Sequence, residues 1–230
     1  MATTKKDEAI NIVPIRKKYA RVRIIGTSPL IIHAWSEKAK RMMLEAQQKT
    51  TRTKSKREVR RPFEDFVDSL YWLTEKPAAD TDEELAEKFG EAIQNGARFG
   101  FPANSVKIAA NAGAYRLGWV KNQMGLRGAY FVRGVNPDGT ANQQYIEIKG
   151  CVPTIREDMV TVGMGSTDLR YRGEFVDWYS DIEIEYNASG DVTLEQIINC
   201  LNAGGYAVGL GEWRPERDGI SGMFEVASEI

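Results

Sequence analysis

The sequence predicts an α+β protein built on a mainly antiparallel sheet, and three observations support this fold class. Five short segments alternate apolar and polar residues, as strands with one buried face do. Helical patterns fall among them, in the order strand, helices, hairpin, strand, helix and strand. Two of the strands flank Asn136-Pro137-Asp138-Gly139, a turn sequence typical of a hairpin.

The predicted strands share this alternation and are, in chain order, Tyr19–Ile25, Ala129–Arg133, Tyr145–Lys149, Trp178–Tyr186 and Met223–Val226. In the fourth strand Asp181, Glu183 and Glu185 lie on one face. Three carboxylates on one face could hold a metal, but nothing nearby in the sequence completes such a site. We therefore expect a solvated sheet face and no metal.

Helical spacing of apolar residues predicts the helices. One begins at Pro62, and a second, acidic helix spans Asp80 to Gln94. A third follows Phe101–Ser105 and contains VKIAANAGAYRLGWV, whose small residues suit close packing against a sheet. Residues 156–177 lack a clear period, and we expect them to be irregular.

The last predicted helix leads into a glycine-rich loop. Thr193 is a suitable N-cap, and Gln196 completes an approximate capping box. We expect Gly204 and Gly205 to end this helix, because glycine readily adopts the left-handed backbone that closes one. The loop glycines that follow are Gly209, Gly211, Gly219 and Gly222. Their exposed amides could hold a phosphate backbone, or the glycines could serve only turns.

Composition limits the class of protein. The chain has 230 residues, 42% of them hydrophobic, and a formal net charge of −1, so affinity for a polyanion requires a local patch. Cys151 and Cys200 have no short spacing, which argues against a disulfide scaffold or zinc and indicates a reducing compartment. The opening residues are polar and no apolar run reaches membrane length. We expect a cytoplasmic protein with no membrane partner.

Charge patterning divides the chain further. We expect a flexible N-terminal arm at residues 1–18 and a single domain at 19–230 that carries a basic insertion at about 38–61. Within the insertion, KTTRTKSKREVRR has no apolar period and is typical of a flexible loop or a segment that orders on binding. The acidic helix could balance these charges, within one chain or in a neighbouring subunit.

The motifs of common enzymes are missing from the sequence. No Walker loop, Gly-x-Ser-x-Gly elbow or HExxH motif occurs, and Gly209-x-Gly211 follows a helix rather than the strand that dinucleotide binding requires. His33 is the only histidine, so the sequence offers a single candidate for histidine-based catalysis. We expect this residue to be packed or at an interface. We therefore expect no enzyme and no cofactor.

Cations and aromatic residues on irregular segments form the candidate binding site. Such mixtures suit single strands, whose bases are unstacked. The candidates are Lys54, Lys56, Arg57, Arg60, Arg61, Lys107, Arg116, Arg170, Arg172, Arg214 and Arg217 for phosphates, and Trp213, Tyr171 and Trp119 for bases. Each arginine could instead form a surface ion pair. For Trp119 and Trp178 we expect a place in the core.

Three stretches resemble the RAMP superfamily, which includes backbone subunits of CRISPR effector complexes. RVRIIGTSPLIIHA is similar to its opening strand and T-x-P-L turn, and FPANSVKIAANAGA to its I-P-x-S-S-x-K-G-A-L-R helix start. The C-terminal G-x-G-x-x-R…G-x-G-x-x-x-V pattern matches Gly209, Gly211, Arg214, Gly219, Gly222 and Val226. The resemblance implies a ferredoxin-like, RRM-like fold, single-strand binding and head-to-tail assembly. Departures at Ala109, Ala110 and Trp213 indicate a divergent relative, for example one encoded by a phage.

Two functions from different classes remain open. The first is a non-catalytic protein that binds single-stranded RNA or DNA and assembles along the strand as an oligomer. The alternative is a protein-interaction or structural subunit, for example a phage factor that mimics or blocks a nucleoprotein complex. A nuclease-like relative is disfavoured, because His33 is the only histidine.

Overall fold

The computed structural model describes residues 14–35, 37–48, 59–163 and 165–228. The strands are β1 (Lys17–Gly26), β2 (Leu30–Ile32), β3 (Tyr71–Trp72), β4 (Phe99–Pro102), β5 (Tyr130–Val135), β6 (Ala141–Asn142), β7 (Tyr145–Ile148), β8 (Thr154–Thr161), β9 (Thr167–Phe175), β10 (Tyr179–Asn187) and β11 (Phe224–Val226). The helices are α1 (Glu37–Gln48), α2 (Pro62–Asp68), α3 (Asp82–Gln94), α4 (Ala103–Arg116), α5 (Met124–Arg127) and α6 (Leu194–Ala207), with a 3₁₀ turn at Pro215–Arg217.

The strands form three antiparallel sheets, which confirms the α+β class. The largest has the order β11-β1-β10-β5-β6, and two smaller sheets have the orders β2-β9-β8 and β3-β4-β7. All five predicted strands are present and pair antiparallel with their neighbours. The alternation in β1 has the predicted effect, because Val22 and Ile24 are buried while Arg21 and Arg23 are exposed.

Helices α4 and α6 pack against each other and cover the apolar face of the largest sheet. The capping box of Thr193 and Gln196 forms as predicted. The prediction that Gly204 and Gly205 end α6 is wrong, since the helix continues to Ala207. A Cβ atom on Gly204 would lie 2.5 Å from the backbone nitrogen of Ala110 in α4, so this glycine permits two helices to touch.

The prediction that residues 156–177 are irregular is also wrong. Strands β8 and β9 form a long hairpin there, in which Arg156 faces Arg172 and Asp158 faces Arg170. Val162 N donates a hydrogen bond of 2.7 Å to Ser166 O and closes its turn. Charged cross-strand pairs replace the apolar alternation that identifies most half-buried strands.

Other expectations need correction on the surface. Trp178 is fully buried as predicted, whereas Trp119 is 54% exposed and is not a core residue. The carboxylate face of β10 is not simply solvated, because Glu183 and Glu185 are buried beneath cations of neighbouring strands. Strand β1 begins at Lys17, so residues 17 and 18 of the predicted arm belong to a strand. The predicted basic insertion contains α1.

Candidate nucleic-acid interface

The glycine-rich loop between α6 and β11 is tied to strand β2 by its backbone. Glu212 N donates to Ile31 O at 2.8 Å, and Gly222 N donates to Pro29 O at 2.8 Å. Gly211 has a φ of +71°, and a Cβ atom there would collide with Ile31 O. Glycine is therefore required at this position both by the backbone angle and by the close approach.

Most amides of this loop are already occupied. Those that donate to protein acceptors belong to Gly209, Leu210, Glu212, Glu216, Arg217, Asp218, Gly219, Ser221, Gly222 and Met223. These amides are not free to bind phosphate. The glycines serve turns and close contacts, which is the alternative that the sequence left open.

A buried carboxylate, Asp158 in β8, connects the hairpin to the loop. Arg172 Nη1 donates to Asp158 Oδ2 at 2.9 Å, and Arg156 Nε donates to Oδ1 at 3.0 Å. Trp213 Nε1 donates to Oδ2 at 3.2 Å. Trp213, with a φ of +51°, is thus held by its indole, and the residue as a whole remains 43% exposed.

The electrostatics of this cluster favour the charged carboxylate. Burial acts to raise the pKa of Asp158, but the hydrogen bonds from Arg172, Arg156 and Trp213 outweigh it and lower the pKa below its usual value. Arg172 is itself buried, with only 7% of its side chain exposed, so it cannot reach a phosphate on the surface. Its sequence-based assignment as a phosphate contact is therefore wrong.

Two adjoining cavities beside the cluster form a groove, and His33 and Glu212 line both. The larger, of about 750 Å³, is also lined by Trp35, Met42, Arg60, Asp65, Asp68, Asp168, Arg170 and Tyr171. The smaller, of about 270 Å³, is also lined by Tyr71, Phe101, Ser105, Ile108, Arg214 and Glu216. We call this combined surface the His33 groove.

Three of the predicted cations line the groove, Arg60, Arg170 and Arg214, and Arg116 contacts its edge through Glu216. Each of these arginines is paired with an acid. Arg60 binds Asp65 and Asp168, both at 2.8 Å, and Arg170 Nε lies 3.1 Å from Asp168. On the other side of His33, Glu216 accepts from Arg214 at 2.7 Å and from Arg116 at 2.9 Å. The groove is therefore a mixed-charge surface and not a basic patch.

Other predicted residues lie elsewhere. Lys107 donates to Arg127 O at 2.6 Å and lies 4.3 Å from the centre of the Phe131 ring, where burial lowers the pKa of its ammonium group. Arg61 binds Glu64 and Asp82. Arg217 is exposed and has no ion pair among the described residues. The candidates outside the described residues are Lys54, Lys56 and Arg57.

Sequence reasoning missed the residues at the centre of the groove. His33 was expected to be packed or at an interface, yet it is half-buried and lines both cavities. Burial, reinforced by the positive charge of Arg172, lowers the pKa of His33 below its ordinary value and so favours the neutral imidazole. The only sequence signal was its position, since it directly follows the apolar run of β2.

Among the described residues, no group of His, Cys, Asp and Glu side chains could hold a metal ion. None of the described helices combines the length and apolar character needed to cross a membrane. No protein-family model matches the chain, and a search of curated proteins finds none that matches it. The site itself must therefore carry the functional assignment.

Proposed function

We propose that this is a non-catalytic protein that binds single-stranded RNA or DNA in the His33 groove. The observation that carries the proposal is the gathering of Arg60, Arg170, Tyr171 and Trp35 around the larger cavity, with Arg214 in the smaller cavity that shares His33 and Glu212 with it. Trp35 is 61% exposed and offers a face for stacking. Arginine together with exposed aromatic rings suits unstacked bases and a phosphate backbone.

The fold also supports a relationship to the RAMP superfamily. Within the largest sheet the chain order is β1, α4, β5, β10, α6 and β11, which has the βαββαβ pattern of a ferredoxin-like fold. We include self-association in the proposal and a cytoplasmic location. Cys151 and Cys200 are free thiols, which agrees with a reducing compartment.

A specific observation favours the alternative, a protein-interaction subunit. Every groove arginine already has a carboxylate partner, as in the contacts of Arg60 with Asp65 and Asp168. A phosphate would have to compete with these acids. A partner protein that carries both signs of charge would meet no such competition.

Titration of single-stranded RNA and DNA across a salt series separates the two functions. Because carboxylates rather than counterions neutralise the groove arginines, we expect binding with a shallow dependence of log affinity on log salt concentration. Tyr171→Ala should weaken binding by about 1–3 kcal/mol with little change in that slope, as expected for a lost stacking contact. Arg170→Ala should reduce the slope.

Lys107→Ala is the matched control, since Lys107 lies outside the groove on α4. We expect its affinity for single strands to equal that of the wild type. If the wild type binds neither nucleic acid at low salt, the single-strand proposal is wrong. If folded Tyr171→Ala and Arg170→Ala variants both bind like the wild type, binding takes place outside the groove.

A further inference from the structure

A further cavity, of about 360 Å³, adjoins the His33 groove, and we call it the Trp35 cavity. Its walls include Trp35, Lys40, Asp68, Tyr71, Lys76 and Tyr145. Trp35 and Asp68 also line the larger cavity of the groove, and Tyr71 lines the smaller one. Because the two surfaces share these residues, a chain molecule that occupies the groove can continue into the Trp35 cavity.

Trp35 marks the boundary between the Trp35 cavity and the larger cavity of the groove, since it lines both. The residue is 61% exposed, and within the described part of the chain no hydrogen bond or ring contact engages its indole. The backbone beside it is fixed, because Ala34 N donates to O of the buried Ser69 at 2.7 Å. Ser69 Oγ in turn accepts from Gly173 N at 2.8 Å. An exposed ring beside a fixed backbone can bind a planar ligand with little loss of its own conformational entropy.

Two tyrosines supply further aromatic surface in the Trp35 cavity. The ring centres of Tyr71 and Tyr145 lie 5.7 Å apart, and Tyr71 packs edge-on against the buried Phe101 at 5.9 Å. Both tyrosines are half-buried. Their packing therefore holds them in place while part of each side chain lines the cavity.

The Trp35 cavity differs from the groove in its charge. Its charged lining residues are two cations, Lys40 and Lys76, and one acid, Asp68. The larger cavity of the groove has two arginines against four acids, which are Asp65, Asp68, Asp168 and Glu212. Lys76 Nζ donates to Asp68 Oδ1 at 2.7 Å, and an ammonium group has three such donors. An anionic ligand is therefore accommodated better in the Trp35 cavity than in the groove alone.

These features together select one class of ligand. Aromatic walls bind flat rings and also organic cations, but Lys40 and Lys76 would repel a cation. A nucleotide combines a flat ring with a negative charge and so meets both requirements.

We propose that a single strand bound in the His33 groove continues past Trp35, so that the indole lies between two successive bases. One base occupies the larger cavity beside Tyr171, and the next occupies the Trp35 cavity beside Tyr145. Lys40 and Lys76 contact the phosphate backbone on the side of the Trp35 cavity. The inference rests on the proposed function, since it requires that the groove bind single strands.

Circular dichroism of a short DNA strand with two adjacent 2-aminopurine bases tests the position of Trp35. Two stacked 2-aminopurines give a coupled band at wavelengths where the protein does not absorb. We expect the wild type to abolish this band on binding, because the indole separates the two bases. Trp35→Ala should bind at least about fivefold more weakly and should leave the band present at saturation.

Trp119→Ala is the matched control for this measurement. Trp119 is also an exposed tryptophan, at 54%, and it lines neither the groove nor the Trp35 cavity. This variant should abolish the band as the wild type does. The proposal is overturned if the band persists in the bound wild type, or if Trp35→Ala also abolishes it.

A charge reversal tests whether the strand enters the Trp35 cavity. Lys76→Glu adds a second acid beside Asp68, so we expect weaker binding at low salt and a smaller loss as salt is added. Lys88→Glu is the matched control, because Lys88 has similar exposure and one acidic partner, Glu84, but lies outside both surfaces. Lys88→Glu should bind like the wild type. Equal affinities of the two variants would overturn the path through the Trp35 cavity.

The outcomes separate this inference from the proposed function. If no single strand binds at low salt, both are wrong. If Tyr171→Ala weakens binding while Trp35→Ala and Lys76→Glu bind like the wild type, the groove binds strands and only the inference fails. Adenosine monophosphate should bind far more weakly than the strand, because it occupies one cavity at a time. Equal affinities would mean a site for free nucleotides and would overturn the continuous path.

Discussion

Asp158 and Asp181 are each held by two cations, but they occupy different environments. Asp158 binds Arg156 and Arg172, and its side chain is 8% exposed. Asp181 binds Arg23 at 2.7 Å and Lys149 at 3.1 Å on the outer face of the largest sheet, where its side chain is 29% exposed. Hydrogen bonds from these cations keep the pKa of both carboxyls low, against the effect of burial.

The comparison shows that two clusters with the same number of ion pairs can contribute differently to the free energy of unfolding. In the Asp158 cluster Arg172 is almost wholly removed from water, so loss of its partner would leave a buried charge. In the Asp181 cluster Arg23 is 44% exposed and can be solvated without its partner. We expect the first cluster to stabilise the hairpin and loop, and the second to contribute little.

The largest expected effect is that of Asp158→Asn. This change removes the hydrogen-bonded counterion of buried Arg172 and leaves it only the half-exposed Glu212, 3.8 Å from its Nη2. We expect the free energy of unfolding to fall by about 3–5 kcal/mol. Urea denaturation at pH 7 measures this change. A loss below 1 kcal/mol would remove the distinction between the two clusters.

The pH dependence sharpens the comparison. The folded pKa of Asp158 lies below its unfolded value of about 3.9, so its contribution is fully present above that value and is lost as the pH falls through the folded pKa. The difference in unfolding free energy between the wild type and Asp158→Asn should therefore shrink as the pH falls below about 4. Denaturation of both proteins between pH 7 and pH 2.5 tests this, and a constant difference would contradict it.

A smaller effect is expected from Trp213→Phe, which removes the indole donor to Asp158 and keeps an aromatic ring. The loss should be about 1.5 kcal/mol, the lower end of the range for hydrogen bonds to charged groups, because both arginines remain. Trp72→Phe is a matched control, since its indole donates to a neutral acceptor, Val67 O. Equal losses in the two variants would show that the charge of Asp158 adds nothing.

The smallest effect is expected from Asp181→Asn. An exposed pair contributes about 0–1 kcal/mol, and any loss should diminish further as salt is added. Thermal denaturation at low and high salt checks both statements. A loss as large as that of Asp158→Asn would mean that exposure does not distinguish the clusters.

The sequence predicted the parts of the fold in which one face is apolar. Strand β1 was predicted correctly, because one of its faces is buried and apolar residues such as Val22 and Ile24 therefore alternate with polar ones. The β8–β9 hairpin escaped the same reasoning, since Asp158 is buried through pairing with Arg156 and Arg172 and not through apolar character. A charged residue that is buried in this way has no local sequence signal.

The site was predictable only in part for a similar reason. Arg60 and Arg170 were identified as cations, but the structure brings both of them to Asp168. Arg60 and Asp168 are 108 positions apart in the sequence, so local reasoning could not find this contact. Gly204 presents a second ambiguity, because a glycine near a helix end fits both a cap and a close packing contact. Only the position of Ala110 in α4 decides between them.

The backbone bonds between the glycine-rich loop and β2 have a consequence for recognition. Glu212 bonds to Ile31 in β2 and Gly222 bonds to Pro29 just before it, and β2 pairs with β9. One wall of the groove is therefore a continuous hydrogen-bonded unit. A ligand that contacts this wall meets a surface that is already preorganised. The entropy cost of ordering on binding then falls mainly on the ligand and not on the protein.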